Sequence, residues 1–238
     1  MQYRCGLGRG ESDSPTTTSA SVKALPYHKP LEGRDLWVAD NALPNAVEVR
    51  ERCLARKNWT LGYPYRDEGW PGMRSLPALY PEELIRIEAW AKKQLGVKRL
   101  WQNPAAEGTR LNHNCVQVVG ETEAEARPHT DSRSNCRFAA VLYLSPNVPA
   151  GCGTSFYRQR LSNGSLGGNM VPPPHDNLQA ALGARFLPPG SFVEDTRIDY
   201  RFNRIVLYRA DLIHSATRYY GTHPQERRMA AVFFWHAQ

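Results

Sequence analysis

Phe138-Ala139-Ala140-Val141-Leu142-Tyr143-Leu144 is one of the two longest apolar runs in the chain, and Met229-Ala230-Ala231-Val232-Phe233-Phe234-Trp235 is the other. Each run has seven residues, is rich in aromatic and β-branched side chains, and is bounded by polar residues. This pattern predicts buried β-strands. A membrane-spanning helix needs about 20 apolar residues, so the sequence predicts that the chain does not cross a membrane.

Shorter runs of the same kind recur after Leu111, separated by turn residues. They predict strands near Cys115–Val119, Phe138–Leu144, Thr154–Tyr157, Arg185–Leu187, Phe192–Glu194, Arg204–Tyr208 and Met229–Phe234. Before them, helical spacing favours a helix over about 44–57, and a second helix is predicted to begin at Pro81 and end at Gly96. Helices followed by many short strands predict a β-sandwich or barrel supported by helices.

The length of 238 residues suits one domain, with a helical support over residues 31–111 and a β-core over residues 112–238. Residues 1–30 are rich in Gly, Ser, Thr and Pro and predict a flexible tail without a secretory signal. The loop Arg158–Asp176 contains Gly and Pro clusters and is long enough to predict a lid. Five widely spaced cysteines without a Cys-x-x-Cys pair favour the cytoplasm.

The net charge is +7, and the 30 basic residues are mostly arginines scattered along the sequence. Nucleic-acid-binding proteins usually carry clustered basic stripes, so we expect a small-molecule substrate and neither a nucleic acid nor a membrane as partner. The oligomeric state is left open. Most of these arginines are expected to be solvated, but a few could bind carboxylates through two hydrogen bonds.

A histidine and a carboxylate lie two positions apart in Arg127-Pro128-His129-Thr130-Asp131. On an extended strand both side chains point to the same side and can reach one metal ion. His214 follows a later predicted strand and turn. Two imidazoles and one carboxylate on one side of a metal are the ligands of non-haem Fe(II) oxygenases, and this predicts a metal site made of His129, Asp131 and His214.

Together these features resemble the Fe(II)/2-oxoglutarate-dependent dioxygenase superfamily, in its prolyl-hydroxylase-like branch. The matching segments follow the family's order and are Gln117-Val118-Val119, the strand Phe138–Ser145, Gly151–Tyr157, Asn203–Tyr208 before His214, and Arg228. Tyr63-Pro64-Tyr65 and Trp70-Pro71-Gly72-Met73-Arg74 also resemble the N-terminal part of a bacterial subgroup of unknown function. The resemblance implies a double-stranded β-helix, the jelly roll of cupin-like proteins.

The resemblance also implies an enzyme that uses Fe(II), 2-oxoglutarate and O₂ to hydroxylate a C–H bond of a small substrate. By the same resemblance, Arg228 binds the far carboxylate of 2-oxoglutarate, and Tyr143 and Gln117 contribute to its pocket. Arginines close in sequence to the metal ligands could bind a substrate carboxylate; they are Arg133, Arg137 and Arg218. We expect an amino acid or a natural-product intermediate as substrate.

Glu121 and Arg127 replace aromatic residues that are frequent in the prolyl-hydroxylase branch, so a peptidyl-proline substrate is not supported. The presence of Asp131 favours hydroxylation over halogenation, because related halogenases have a small residue there. Two other readings stay open. The protein could be a metal-binding jelly roll without turnover, or a different divalent-metal enzyme, such as a zinc hydrolase, with the same three ligands.

Alternation along the last strand separates two neighbouring arginines. Arg228 shares a side with Ala230 and Val232, which leave space beside it, and is expected to face the co-substrate. Arg227 shares the other side with bulky apolar residues, and we expect it at the solvent-exposed edge of that packing layer.

Overall fold

The computed structural model describes residues 23–102, 113–184, 187–188 and 190–238. They form a mainly β structure of antiparallel sheets with three helices. The helices are α1 (Ala46–Leu54), α2 (Pro81–Leu95) and α3 (Leu178–Leu182). The strands are β1 (Leu36–Ala39), β2 (Thr60–Leu61), β3 (Met73–Ser75), β4 (Leu100–Trp101), β5 (Cys115–Val119), β6 (Phe138–Tyr143), β7 (Gly153–Gln159), β8 (Phe192–Asp199), β9 (Ile205–Arg209), β10 (His214–Ala216) and β11 (Arg228–Ala237).

Two sheets are present in the described part of the chain. The large sheet has the strand order β1-β9-β6-β11-β5-β3-β2, and β4 pairs with the end of β11. The small sheet has the order β10-β7-β8. The two longest apolar runs of the sequence, β6 and β11, are hydrogen-bonded neighbours at the centre of the large sheet. Their central position explains why their residues are apolar on both sides.

The outer side of the large sheet packs against α1 and α2. Phe233 and Met229 of β11 belong to a buried cluster that also contains Val49 of α1 and Ile87 of α2. Helix α2 begins at Pro81 and ends at Gly96, which adopts the left-handed conformation with φ of 66°. Both predicted helices are therefore confirmed, and they cover one side of the sheet.

The inner side of the large sheet faces the small sheet. Ala230 and Val232 of β11 pack in a second buried cluster with Phe156 of β7, and Ile198 of β8 borders it. The alternation predicted for the last strand is confirmed, because the residues of the two clusters alternate along β11. The candidate site lies between the two sheets.

Several boundaries differ from those predicted. The support region 31–111 is not only helical, because β1, β2, β3 and β4 also lie there and extend the large sheet. Short strands of two to four residues have too little alternation to be recognised in the sequence. The strand predicted over Arg185–Leu187 begins outside the described residues.

The start of the chain also differs. Residues 1–22 of the predicted tail lie outside the described part, and within residues 23–30 Leu25 and His28 contact the domain. Leu25 is buried and its amide donates to Gln159 (2.7 Å). Asn169 in turn exchanges two hydrogen bonds of 2.8 Å with the backbone of His28. The second half of the predicted lid loop is therefore held by the N-terminal segment.

No helix in the described ranges is long and apolar enough to span a membrane.

Candidate metal and co-substrate site

His129, Asp131 and His214 come together between the two sheets. Their ligand atoms all lie within 4.8 Å of one another, and His214 Nε2 is 3.6 Å from Asp131 Oδ2. The backbone of His129 pairs with that of His214, with N···O distances of 3.0 and 2.8 Å, so the two histidines are held side by side. Two imidazoles and a carboxylate in this arrangement can hold one divalent metal ion from one side.

The backbone fixes which ring nitrogen each histidine can offer. His129 Nδ1 donates to the carbonyl oxygen of Arg127, and His214 Nδ1 donates to that of Leu212, each at 2.8 Å. A carbonyl oxygen only accepts hydrogen bonds, so both Nδ1 atoms carry the proton and both Nε2 atoms keep a free lone pair. Metal-binding histidines are commonly oriented in this way.

Burial sets the charge of the cluster. Burial, together with the smaller effect of the neighbouring His129, lowers the pKa of His214 to about 3, so the ring is neutral near pH 7. Burial raises the pKa of Asp131, against the opposing effect of His129 and Arg74. Asp131 Oδ2 is buried and has no hydrogen-bond partner. A divalent cation would satisfy this oxygen, so the donor set fits a metal ion.

Arg228 lies at the start of β11, on the inner side of the large sheet. It is 4% exposed, and its Nε is buried without a hydrogen-bond partner. Among the described residues no carboxylate forms an ion pair with it, and its guanidinium lies 5.8 Å from the ring centre of Tyr219. A buried, unpaired arginine is costly, so this geometry fits an anion supplied by a ligand.

Tyrosines surround the space beside Arg228. Tyr143, opposite Ala230 in the sheet register, is buried and stacks on Tyr200 with ring centres 4.0 Å apart. Its hydroxyl lies 2.7 Å from Thr154 Oγ1. Burial raises the pKa of Tyr143 to about 12, so the phenol keeps its proton and remains able to donate a hydrogen bond.

Gln117 and Arg227 are more fully engaged by the protein than the sequence suggested. Gln117 faces the same side as Ala230, but its Nε2 donates to the carbonyl oxygen of Pro71 (3.0 Å), which uses one of its two N–H groups. Arg227 is not at a solvent-exposed edge. It pairs with buried Glu123 (2.6 Å), which also accepts a hydrogen bond from Tyr65. Alternation along the strand could not reveal this buried acid, which lies far away in the sequence.

A cavity of about 250 Å³ opens on Asp131, and Arg133 and Arg137 line it together with Arg34 and Arg209. Arg133 donates to the Val171 carbonyl oxygen (2.6 Å), whereas Arg137 is exposed. Two of the three arginines proposed for substrate thus lie beside a candidate metal ligand. Arg218 does not join them. It lies exposed, near Cys152, where burial raises the pKa of the thiol and the charge of Arg218 opposes this rise.

Comparison with known families decides the membership of the chain. A family model described as "Family of unknown function (DUF6445)" matches residues 22–228. The chain belongs to this family. No curated protein matches the sequence.

Solved structures similar to this DUF6445 protein include 2-oxoglutarate oxygenases. A prolyl-4-hydroxylase from Pseudomonas putida is 14% identical, with a TM-score of 0.45 over 86% of this chain and 94% of that chain. HygX from Streptomyces hygroscopicus, solved with nickel, 2-oxoglutarate and hygromycin B, is 14% identical, with a TM-score of 0.48 over 85% and 83%. AviO1 from Streptomyces viridochromogenes Tue57 is 12% identical, with a TM-score of 0.49 over 86% and 90%.

Sequence reasoning about this DUF6445 chain did not assign a role to three residues near the site. They are Arg74 on β3, Tyr200 after β8, and Tyr219 beside Arg228. Arg74 stood inside a segment that resembled a bacterial subgroup, but nothing in that segment predicted a strand. Tyr200 and Tyr219 lie between predicted strands, and only the fold brings them to the site.

Proposed function

We propose that this DUF6445 protein is an Fe(II)- and 2-oxoglutarate-dependent oxygenase that hydroxylates a C–H bond of a small substrate, an amino acid or a natural-product intermediate. The proposal includes a double-stranded β-helix made of the two sheets, with residues 31–238 as one catalytic domain. The observation that carries it is that two buried polar groups of the site lack partners among the described residues. A metal-type donor cluster has an unsatisfied carboxylate oxygen, and a buried arginine on the same inner surface has no anion.

One molecule of 2-oxoglutarate could bind both the metal ion and the buried arginine. Its keto-acid end is a chelating group for a metal ion, and its far end is a carboxylate that a buried guanidinium can bind through charge-assisted hydrogen bonds. Small side chains beside Arg228, among them Ala230, leave space for this molecule. Tyr143 beside Ala230 on the same sheet and Thr154 on the facing small sheet offer hydroxyl groups to this space.

The residues of the chain have separate tasks in this proposal. His129, Asp131 and His214 would hold Fe(II), and Arg228 with Tyr143 would hold the far carboxylate. The bound iron and 2-oxoglutarate would together supply the oxidising chemistry with O₂. The buried ring of Phe156 and that of Tyr208 lie against His214, and exclude water from the back of the cluster. The protein thereby orients the reactants and keeps the site dry.

The test is succinate formation from 2-oxoglutarate. Purified protein loaded with Fe(II) is incubated in air with 2-oxoglutarate, and succinate is quantified. We expect the wild type to form succinate and His214→Ala to lose this activity, because one of three metal ligands is missing. His223→Ala is the matched control, since His223 is exposed and lies outside the cluster. Equal succinate formation by wild type and His214→Ala would contradict the proposal.

A second measurement addresses the substrate. Candidate amino acids and natural-product intermediates are incubated with the loaded enzyme, and products that have gained one oxygen atom are sought by mass spectrometry. A zinc hydrolase would form neither succinate nor such a product, and a protein without turnover would bind iron only.

A further inference from the structure

Arg74 is a second cation on the inner surface of the large sheet. In the strand register Arg74 lies opposite Gln117, and Gln117 lies opposite Ala230. Directly opposed residues in antiparallel strands point to the same side of a sheet. Arg74 therefore shares the inner side with Ala230, whereas its neighbour Met73 packs against the outer cluster.

The backbone holds this arginine firmly in place. Gly72, with φ of +74°, passes so close to β5 that a Cβ at this position would overlap the carbonyl oxygen of Val118. The guanidinium of Arg74 lies over the ring of Trp70, 4.5 Å from its centre. Trp70 is buried and in turn packs against Gly62, where a side chain would overlap the ring.

Arg74 lacks a partner for its charge. Its Nε is buried without a hydrogen-bond acceptor, and within the described ranges no carboxylate lies in ion-pair distance of its guanidinium. Its charge nevertheless acts beside the candidate site: burial raises the pKa of Tyr219, and the charges of Arg228 and Arg74 oppose this rise. The ring centre of Tyr219 lies 5.8 Å from the guanidinium of Arg228, so the charges of both arginines act on the same tyrosine.

A charge count separates the roles of the two arginines. With Fe(II) bound, Asp131 and the two carboxylates of 2-oxoglutarate carry three negative charges against three positive charges on the metal and Arg228. Arg74 is not needed for this balance. Burial lowers the pKa of Arg74, and the charges of Asp131 and Glu68 oppose this shift without forming an ion pair with it. Among the arginines of the cavity beside Asp131, Arg209 pairs with Asp211 (2.9 Å) and Arg34 pairs with Asp35 (2.7 Å), whereas Arg137 forms no ion pair with the described residues but is exposed to solvent.

We propose that Arg74 is a specificity-determining residue that binds a carboxylate group of the substrate. This inference rests on the proposed function and adds the substrate class, a small carboxylic acid. The Nε–Nη edge of a guanidinium matches the two oxygens of a carboxylate, and Nε is the atom of Arg74 that lacks a partner. Stacking on Trp70 leaves this edge free to form in-plane hydrogen bonds.

The experiment compares acids with their neutral amides. Protein loaded with Ni(II) and 2-oxoglutarate is titrated by calorimetry with a panel of small carboxylic acids, including the proteinogenic amino acids, each paired with its amide. We expect at least one acid to bind the wild type at least about tenfold more tightly than its amide, a difference of about 1.4 kcal/mol. Arg74→Gln should remove this preference by weakening the acid alone.

Two further variants define the result. Arg66→Gln, a matched loss of charge at an exposed position near β3, should bind acids as the wild type does. Arg74→Lys keeps the charge but loses the two-point edge, and should bind acids with intermediate affinity. Circular dichroism and thermal melting identify a variant that has failed to fold, and the inference is then judged on Arg74→Lys.

Three results would overturn the inference. They are unchanged acid binding by Arg74→Gln, the absence of any acid that binds better than its amide, and a loss of 2-oxoglutarate affinity as large as that of Arg228→Gln, which would assign Arg74 to the co-substrate. Failure of the proposed function looks different, since the wild type would then neither bind 2-oxoglutarate nor form succinate. A preference for acids that depends on Arg74 would stand even in that case.

Discussion

The two sides of β11 differ in whether their side chains find partners within the protein. On the outer side, Phe233 packs against the helices, and the adjoining Arg227 has a buried acid, Glu123, as partner. On the inner side, Ala230 is small and Arg228 has no partner among the described residues. The outer side is complete without a ligand, whereas the inner side is not. Two neighbouring arginines can thus have different roles, one structural and one in ligand binding, and the presence or absence of an acidic partner distinguishes them.

The largest expected effect is on stability at the outer side. Phe233→Ala should lower the free energy of unfolding by about 3–5 kcal/mol, because it removes a fully buried ring from the cluster shared with α1 and α2. Phe234, the next residue, is only partly buried on the inner side, and Phe234→Ala should cost less than half as much. Urea denaturation of both variants measures the difference. A larger loss for Phe234→Ala would mean that the two sides are assigned the wrong way round.

The next effect is on co-substrate affinity at the inner side. Arg228→Gln should raise the Kd of 2-oxoglutarate at least about 30-fold, since truncating one partner of a desolvated charge pair costs about 2–5 kcal/mol. Arg227→Gln should change this Kd by less than about threefold, because its charge is already used by Glu123. Calorimetric titration of the metal-loaded variants provides both values. A larger increase in Kd for Arg227→Gln than for Arg228→Gln would contradict the assignment of Arg228 to the co-substrate.

For the free energy of unfolding, the substitution at Arg227 should have a larger effect than the one at Arg228. Arg227→Gln leaves Glu123, 2% exposed, without its counter-charge and should lower the free energy of unfolding by about 1–3 kcal/mol. Arg228→Gln removes an unpaired buried charge and should leave the ligand-free protein as stable as before, or more stable. The double variant Glu123→Gln/Arg227→Gln should recover part of the loss. If it is no more stable than Arg227→Gln, the pair is not the cause.

The smallest effect concerns a single hydroxyl group. Tyr143→Phe removes a hydrogen-bond donor beside Arg228 and should raise the Kd of 2-oxoglutarate about three- to tenfold, the range of one net hydrogen bond of about 0.5–1.5 kcal/mol. Thr154→Val tests the partner of this hydroxyl, at 2.7 Å. An unchanged Kd in both variants would show that Tyr143 serves only the core.

The strands that carry the core were predictable because their pattern is strong. β6 and β11 are apolar over six or more consecutive residues and β5 at four of its five, and their length and turn boundaries distinguish them from helices. β3 was not predictable, because three residues cannot establish a period. Its position is decided by pairing with β5 and by the close approach at Gly72, and neither feature is local in the sequence.

The candidate site divides in the same way. His129 and Asp131 could be paired from spacing alone, because the geometry of a strand places both on one side. Arg227 and Arg228 could be separated by alternation, but the ion pair with Glu123 joins residues 104 positions apart. Arg74 was beyond prediction for a related reason, since its role depends on which acids the fold places near it.

The contact between the start of the chain and the loop before β10 has a consequence for sequence change in the family. Gly168 lies so close to the carbonyl groups of Leu25 and Pro26 that no side chain fits between them. Any replacement at residue 168 therefore requires the N-terminal segment to take another path, and any rerouting of that segment removes the reason for glycine. We expect these two segments to be inherited as a unit, exchanged between relatives together rather than one at a time.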